Sequence, residues 1–348
     1  MLLPEIDTHF LVEFATGLLN TPSPTGMAEA GIEFTRRALA DFSGLQLALT
    51  RKGALVAAWP GQRDDAPRAL TAHVDTLGAM VKEIKSNGRL KLTQLGGYAW
   101  NTVEGEGCTV FAADGQQHRG AILLSTASAH VHAGKVNETR RDGDNMEVRL
   151  DLRTASREET EGFGIRVGDF VAFDPRVEVN NGFLRSRHLD DKACVACLVA
   201  AIKAMHGAGL QPAQKTYLHI SNYEEVGHGA AAGIPADAAE LVSVDMAAVG
   251  DGQTSDEFHA TLCVKDSGGP YHHGLSNRLR ELAEANNIAY RVDIYPYYGS
   301  DGEAYWRAGG DVAVALIGPG VDASHNYERT HLDALVATTR WILAYLLN

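Results

Sequence analysis

The chain has four cysteines, no run of basic residues, and no apolar stretch long enough to cross a bilayer. Each shortage removes a class of protein. Cys108, Cys194, Cys197 and Cys263 are too few for a disulfide scaffold in 348 residues and fit a reducing compartment. Cys194 and Cys197 form a C-x-x-C, but no second pair completes a four-sulfur zinc site. They lie in an Ala/Val/Leu-rich helical stretch where i and i+3 share a buried face, so they read as core. A net charge of −13 argues against a phosphate-binding surface, and no nucleic-acid partner is expected. The longest apolar run, Ala193–Ile202, excludes a membrane span. The opening MLLPEIDTHF lacks the charged-then-apolar order of an export signal, and a cytoplasmic location is expected. G-x-S-x-G, H-E-x-x-H, a Walker loop and a complete G-x-G-x-x-G are all missing.

What is present is an ordinary globular composition, 45% hydrophobic and 22% charged, in a chain longer than one core usually supports. Helical spacing over Phe10–Leu19 and Ala30–Leu39 is followed by short strand-like runs at Leu45–Leu49, Ala54–Trp59, Ala69–Ala72 and Ala79–Ile84. From about residue 86 to 183 the texture changes to strand-length segments separated by Gly, Asp and Asn. Met146, Val148, Leu150 and Leu152 alternate there with charged residues. Helix and strand alternation then resumes and ends in an amphipathic helix, Leu332–Leu347. The expected fold is α/β: a mainly parallel sheet sandwiched by helices, built from residues 1–85 and 184–348, with a β-rich, barrel-like module inserted at 86–183. In such sheets sites gather beyond the strand ends.

Five fragments put acids or imidazoles at such boundaries: AHVD (72–75), HLDDK (188–192), EEVG (224–227), SVD (243–245) and SHNYE (324–328). Two imidazoles and three carboxylates among them can hold two divalent cations, one carboxylate bridging. Alternation puts His73 and Asp75 on one side of a strand, where a carboxylate can orient an imidazole or a neighbouring ligand. A bridge needs two oxygens to share, and Asp190 is favoured for it, with Asp191 as cap or support. Glu224 and Glu225 project differently, so one can bind metal while the other faces substrate as a general base. Asp245 ends a strand and His325 sits in a Gly/Pro/Asp-rich loop. His272 and His273 read as a loop pair able to touch substrate or simply solvated. Asp301 is either part of a specificity pocket or a cap on the next helix.

Taken in order, AHVD, LDD, EEVG, VD and SH resemble the glutamyl-aminopeptidase family of metallopeptidases, which includes the tetrahedral TET aminopeptidases, deblocking aminopeptidases and proteins once labelled cellulase M. The likeness runs from Pro22-Ser23-Pro24-Thr25-Gly26 to the last helix. It implies a zinc-peptidase-like fold with one metal held by His73, Asp190 and Asp245 and a second by Asp190, Glu225 and His325. It also implies Glu224 as general base and Asp75 as the residue orienting His73. The inserted module would match the family's dimerisation domain, giving a homo-oligomer from dimer to dodecamer. The implied activity is removal of N-terminal residues from short peptides with two divalent ions per subunit, zinc first, cobalt or manganese also fitting an N/O site. The chain departs from the family pattern at His228-Gly229-Ala230, Met246–Gly250 and Asn326. HLDDK, YYGSD and DASHNYERTHLD resemble a bacterial subgroup associated with N-acetylglutaminylglutamine amide, an osmoprotectant. That likeness implies the alternative, hydrolysis of a small amide metabolite or capped dipeptide.

Overall fold

The structure is a computed structural model and describes residues 2–348. Its centre is four mutually parallel strands, in the order Gln214–Ser221, Arg63–His73, Glu240–Val244 and Ala313–Asp322. The flanks are antiparallel: Leu55–Trp59 extends one side, and Ala260–Asp266 and Glu328–His331 pair with the last of the four. The sheet is thus parallel where its strands lie deepest and mixed at its margins. In register, Ile220 and Ser221 lie opposite Ala72 and His73, while Val242 and Ser243 lie opposite Leu70 and Thr71. Three strands therefore end side by side, and the residues that follow them converge.

Period-two alternation assigns the two faces. Leu70, Ala72, Leu218, Ile220, Val242, Val244, Ala315 and Ile317 face one core, beneath the helices Leu189–Gly207 and Leu332–Leu347. Ala69, Tyr217, Leu241, Val314 and Leu316 face the other, near the short helix Asp301–Arg307. The helix Leu189–Gly207 touches the sheet on one side and Thr8–Leu19 and Leu332–Leu347 on others. That encirclement explains why Ala193–Ile202 is apolar all round: every face is buried. Cys194 and Cys197 are fully buried there as thiols. No helix among the described residues is long and apolar enough to cross a membrane.

Six antiparallel strands close into a barrel: Gly78–Ile84, Leu90–Leu95, Met146–Leu150, Gln117–Leu124, Gly107–Phe111 and Phe170–Phe173. The interior is filled by Val81, Leu92, Val110, Ile122, Val148 and Val171, the inward set of each alternation. Closure needs Gly78–Ile84, which pairs with both Leu90–Leu95 and Phe170–Phe173, so the barrel spans 78–173, against an expected module of 86–183. A hairpin, Glu178–Asn180 with Phe183–Ser186, follows the barrel and joins the large sheet through Glu328–His331. Short helices at Ala129–His132, Lys135–Glu138 and Arg157–Gly162 interrupt the barrel's strands without any apolar period to announce them.

Trp341 pins the outer helices. It is fully buried, its indole N–H donates to the Leu279 carbonyl at 2.8 Å, and its ring meets Tyr290 edge-on. Trp341→Ala is expected to cost about 3–5 kcal/mol, read as a lowered urea midpoint; an unchanged midpoint would contradict this packing.

Candidate metal centre

The converging strand ends bring the five fragments together. His73 closes Arg63–His73, Asp245 follows Glu240–Val244, and Glu224 and Glu225 sit in a helical turn just past Gln214–Ser221. Asp190 opens the buried helix, and His325 lies on the loop between Ala313–Asp322 and Glu328–His331. Ligand atoms of His73, Asp190 and Asp245 all lie within 4.8 Å of one another, and so do those of Asp190, Glu225 and His325. Asp190 belongs to both groups. Its Oδ1 lies 3.2 Å from His73 Nε2 and its Oδ2 lies 3.3 Å from His325 Nε2, so each carboxylate oxygen faces one imidazole.

Both rings are oriented from behind. His73 Nδ1 lies 2.9 Å from the Asp75 carbonyl, and His325 Nδ1 contacts the Gly97 carbonyl. An N–H donated at Nδ1 leaves Nε2 as the free ligand nitrogen on each ring. Asp75 orients His73 with its main chain; its carboxylate Oδ1 stands 3.6 Å from that ring. The carboxylate instead accepts from Thr25 Oγ1 at 2.7 Å and from the Glu224 and Glu225 amides at 3.1 and 3.4 Å. Asp75 thereby ties one end of the site to the other.

Two further acids act on main chain. Asp191 Oδ2 accepts from the His73 amide at 3.1 Å, a supporting role in which Asp191 is fully buried. Glu328, also fully buried, accepts from the Asp190 amide with Oε2 at 3.0 Å and from the His325 amide with Oε1 at 2.9 Å. Its bidentate grip holds His325 in a left-handed backbone conformation at φ 62°. The sequence reading missed Glu328, although it ends the SHNYE fragment. An acid three residues past His325 was the available signal.

Burial and neighbouring charges set the ionisation of this cluster. Burial, then the neighbouring Asp190, pushes Glu225 up to about 8 and Asp245 up to about 7. Burial drives Glu224 well above its ordinary range too, against the pull of His73. Burial also acts upward on Asp190, but hydrogen bonds from His325 and His73 hold it below the usual carboxylate range. His325 goes the other way: burial opposes its charge, and Asp190 and Glu225 still raise it to about 10. Asp245 Oδ1 is buried with no hydrogen-bond partner among the described residues. A cluster with more buried carboxylates than cations and an unsatisfied oxygen fits added positive charge.

Other histidines lie elsewhere. His272 caps the helix His273–Ala285 by accepting from the Leu275 amide, and His273 sits on that helix beside Asn277; neither lines the cleft. His228 stacks on Tyr223 and lies beside Lys52. Asp301 does not line the cleft either. It lies beneath, accepting from the Ala230 amide at 2.7 Å and Thr71 Oγ1 at 3.3 Å, and a Cβ at Gly229 would sit 2.2 Å from its Oδ1. Only glycine lets that loop pass so close. The cleft itself, about 510 Å³, is walled by Glu224, Tyr297, Tyr298, Glu303 and Arg307 beside the candidate ligands.

A model of the M42 glutamyl aminopeptidases matches residues 53–341. The chain belongs to that family. This M42 chain is 46% identical to a Bacillus subtilis (strain 168) protein named "Putative aminopeptidase YhfE", with 96% of each chain covered. Together these mark it as a peptidase of the aminopeptidase type. Its fold matches aminopeptidase APDkam598 from the archaeon Desulfurococcus kamchatkensis at 22% identity, TM-score 0.86, over 97% of this chain and 95% of that one. It also matches the Pyrococcus horikoshii TET1 peptidase at 21% identity, TM-score 0.84, over 97% and 99%.

His219, below the centre, gives a pH prediction. It is fully buried against Thr71 Oγ1 at 3.0 Å, and burial followed by repulsion from Lys52 lowers it from 6.5 to about 4. The unfolded chain takes up this proton near pH 6.5 and the folded chain only near 4, so stability falls as pH drops through that window. His219→Gln should abolish on the order of 3 kcal/mol of that decline, measured by denaturation at pH 7 and pH 4; parallel curves for the two proteins would refute it.

Proposed function

We propose that this M42 chain is a cytoplasmic di-metal aminopeptidase that removes N-terminal residues from short peptides. The observation that carries the proposal is Asp190, whose two oxygens each face the Nε2 of a different imidazole. In this reading His73, Asp190 and Asp245 hold one divalent ion, and Asp190, Glu225 and His325 hold the other. Zinc suits such a nitrogen and oxygen set, as do cobalt and manganese. When bound, the ions supply Lewis acidity toward a scissile carbonyl and make water easier to deprotonate.

The chain's residues do the rest. Glu224 lines the cleft, its Oε2 is 3.7 Å from His73 Nε2, and its amide is held by Asp75. It belongs to neither candidate ligand group. Glu224 is therefore free to take a proton from the attacking water and return it to the leaving amine. The six-stranded barrel is proposed as the self-association module. The P. horikoshii TET1 peptidase can assemble into a tetrahedron or a large octahedral shell, and its likeness supports a homo-oligomer here. The four buried thiols support a reducing location.

Glu224→Gln should keep both metals and lose about 10²–10⁴-fold in turnover, whereas Asp190→Ala should lose both ions by elemental analysis. Two bound equivalents in the Asp190 variant would overturn the bridge, and near-normal turnover by the Glu224 variant would remove it as base. Free dipeptides should be cleaved and N-acetylated ones spared; the reverse preference would favour hydrolysis of a capped amide. Light scattering should give a mass well above the 37.3 kDa protomer, and a monodisperse monomer would exclude the assembly.

A further inference from the structure

The side of the centre that holds His325 is completed by the barrel rather than by the large sheet. The loop between the barrel strands Leu90–Leu95 and Gly107–Phe111 reaches over it. Gly97 supplies the carbonyl that receives His325 Nδ1, and Thr102 Oγ1 lies 3.5 Å from the His325 carbonyl. Gly96, at φ +76°, brings the loop so close that a Cβ there would lie 3.4 Å from the Glu225 carbonyl and 2.4 Å from Leu77 Cδ2. One loop thus contacts His325 directly and leaves room only for glycine's hydrogen beside Glu225, two of the three residues proposed for the second ion. His73, in contrast, is oriented by Asp75 and Asp191, both outside the barrel.

Arg187 fastens that loop. It lies just before the HLDDK fragment, is 3% exposed, and donates through Nη1 to the Thr102 carbonyl at 2.8 Å. The same Nη1 is 3.4 Å from Glu106 Oε1, a barrel carboxylate that Arg176 also grips at 2.7 Å. The Arg187 guanidinium sits 5.8 Å from the ring centroid of Phe173, which is edge-on to Tyr98 of the loop. A buried arginine spent on a loop carbonyl and a barrel acid binds two parts of the chain where a solvated surface pair would not.

We infer that Arg187 is a positioning residue which, by holding the barrel loop Gly96–Thr102 on His325, sets the affinity of the second metal ion and leaves the first untouched. The inference rests on the two-ion reading given under Proposed function. Removing the partner that orients a ligating histidine typically weakens metal binding about 10–100-fold.

The test is Zn²⁺ binding to metal-stripped full-length protein, by equilibrium dialysis with elemental analysis, for wild type, Arg187→Leu, Arg187→Lys and Gly96→Val. Wild type should bind two equivalents. Arg187→Leu and Gly96→Val should each weaken one equivalent by about 10–100-fold and keep the other at wild-type affinity, and Arg187→Lys, which can still reach the Thr102 carbonyl, should recover part of the loss. Gly96→Val displaces the loop without touching a buried charge, so it tests the loop's hold on His325 separately, and Arg187→Lys tests the arginine if Arg187→Leu does not fold. Two equivalents of wild-type affinity in Gly96→Val, or equal weakening of both ions, would overturn the inference while leaving the two-ion reading intact. A wild-type protein that binds no zinc would instead sink the two-ion reading, and this inference with it.

Discussion

Asp190 placed between two imidazoles is the constraint around which the rest of the site is arranged. One carboxylate can face both rings only if His73, at a strand end, and His325, on a loop, approach from opposite sides. The molecule supplies that approach with main-chain anchors. Asp191 holds the His73 amide, Glu328 holds the Asp190 and His325 amides together, and Asp75 holds the Glu224 and Glu225 amides. Charged acceptors on backbone N–H groups are strong and directional. The loops carrying the candidate ligands are therefore fixed by the chain's own contacts.

Such an arrangement costs stability. Burying this many acids raises the ionisation range of Glu224, Glu225 and Asp245 and leaves an oxygen of Asp245 and one of Asp191 without partners. The surrounding packing offsets that cost: a sheet with apolar residues on both faces, and a helix buried on every side. The barrel carries a core of its own and touches the centre through one loop. Stability and chemistry are thus divided, the sheet and helices bearing the strain that the strand ends accumulate.

Much of the site was legible because five fragments, each a weak signal alone, resemble in their order a family of metallopeptidases. His73, Asp75, Asp190, Glu224, Glu225, Asp245 and His325 lie in one region, whereas His272 and His273 lie outside the cleft. The supporting contacts were less visible. Glu328, Arg187, Gly96 and Gly97 were given no role of their own. Each acts through a partner far along the chain, 138 residues away for Glu328 and Asp190 and 85 for Arg187 and Thr102. Asp301, read as either part of a specificity pocket or a cap on the next helix, lies beneath the cleft and holds the Ala230 amide, while Ser300 occupies the N-cap position.

The sequence by itself determined the elements: period-two runs for the strands, the all-apolar helix at Ala193–Ile202, the change to β-rich texture in the middle, and the chemical kinds of side chain at the boundaries. These depend on local spacing, which one chain displays directly. Only the tertiary structure decided which boundaries meet, because that depends on the register of Arg63–His73 against Gln214–Ser221 and Glu240–Val244. It also decided that Gly78–Ile84 closes the barrel, since closure requires a strand to find two partners at once. And it decided that a barrel carbonyl, at Gly97, orients His325. A main-chain carbonyl is the same at every residue, so no sequence pattern can mark the one that matters.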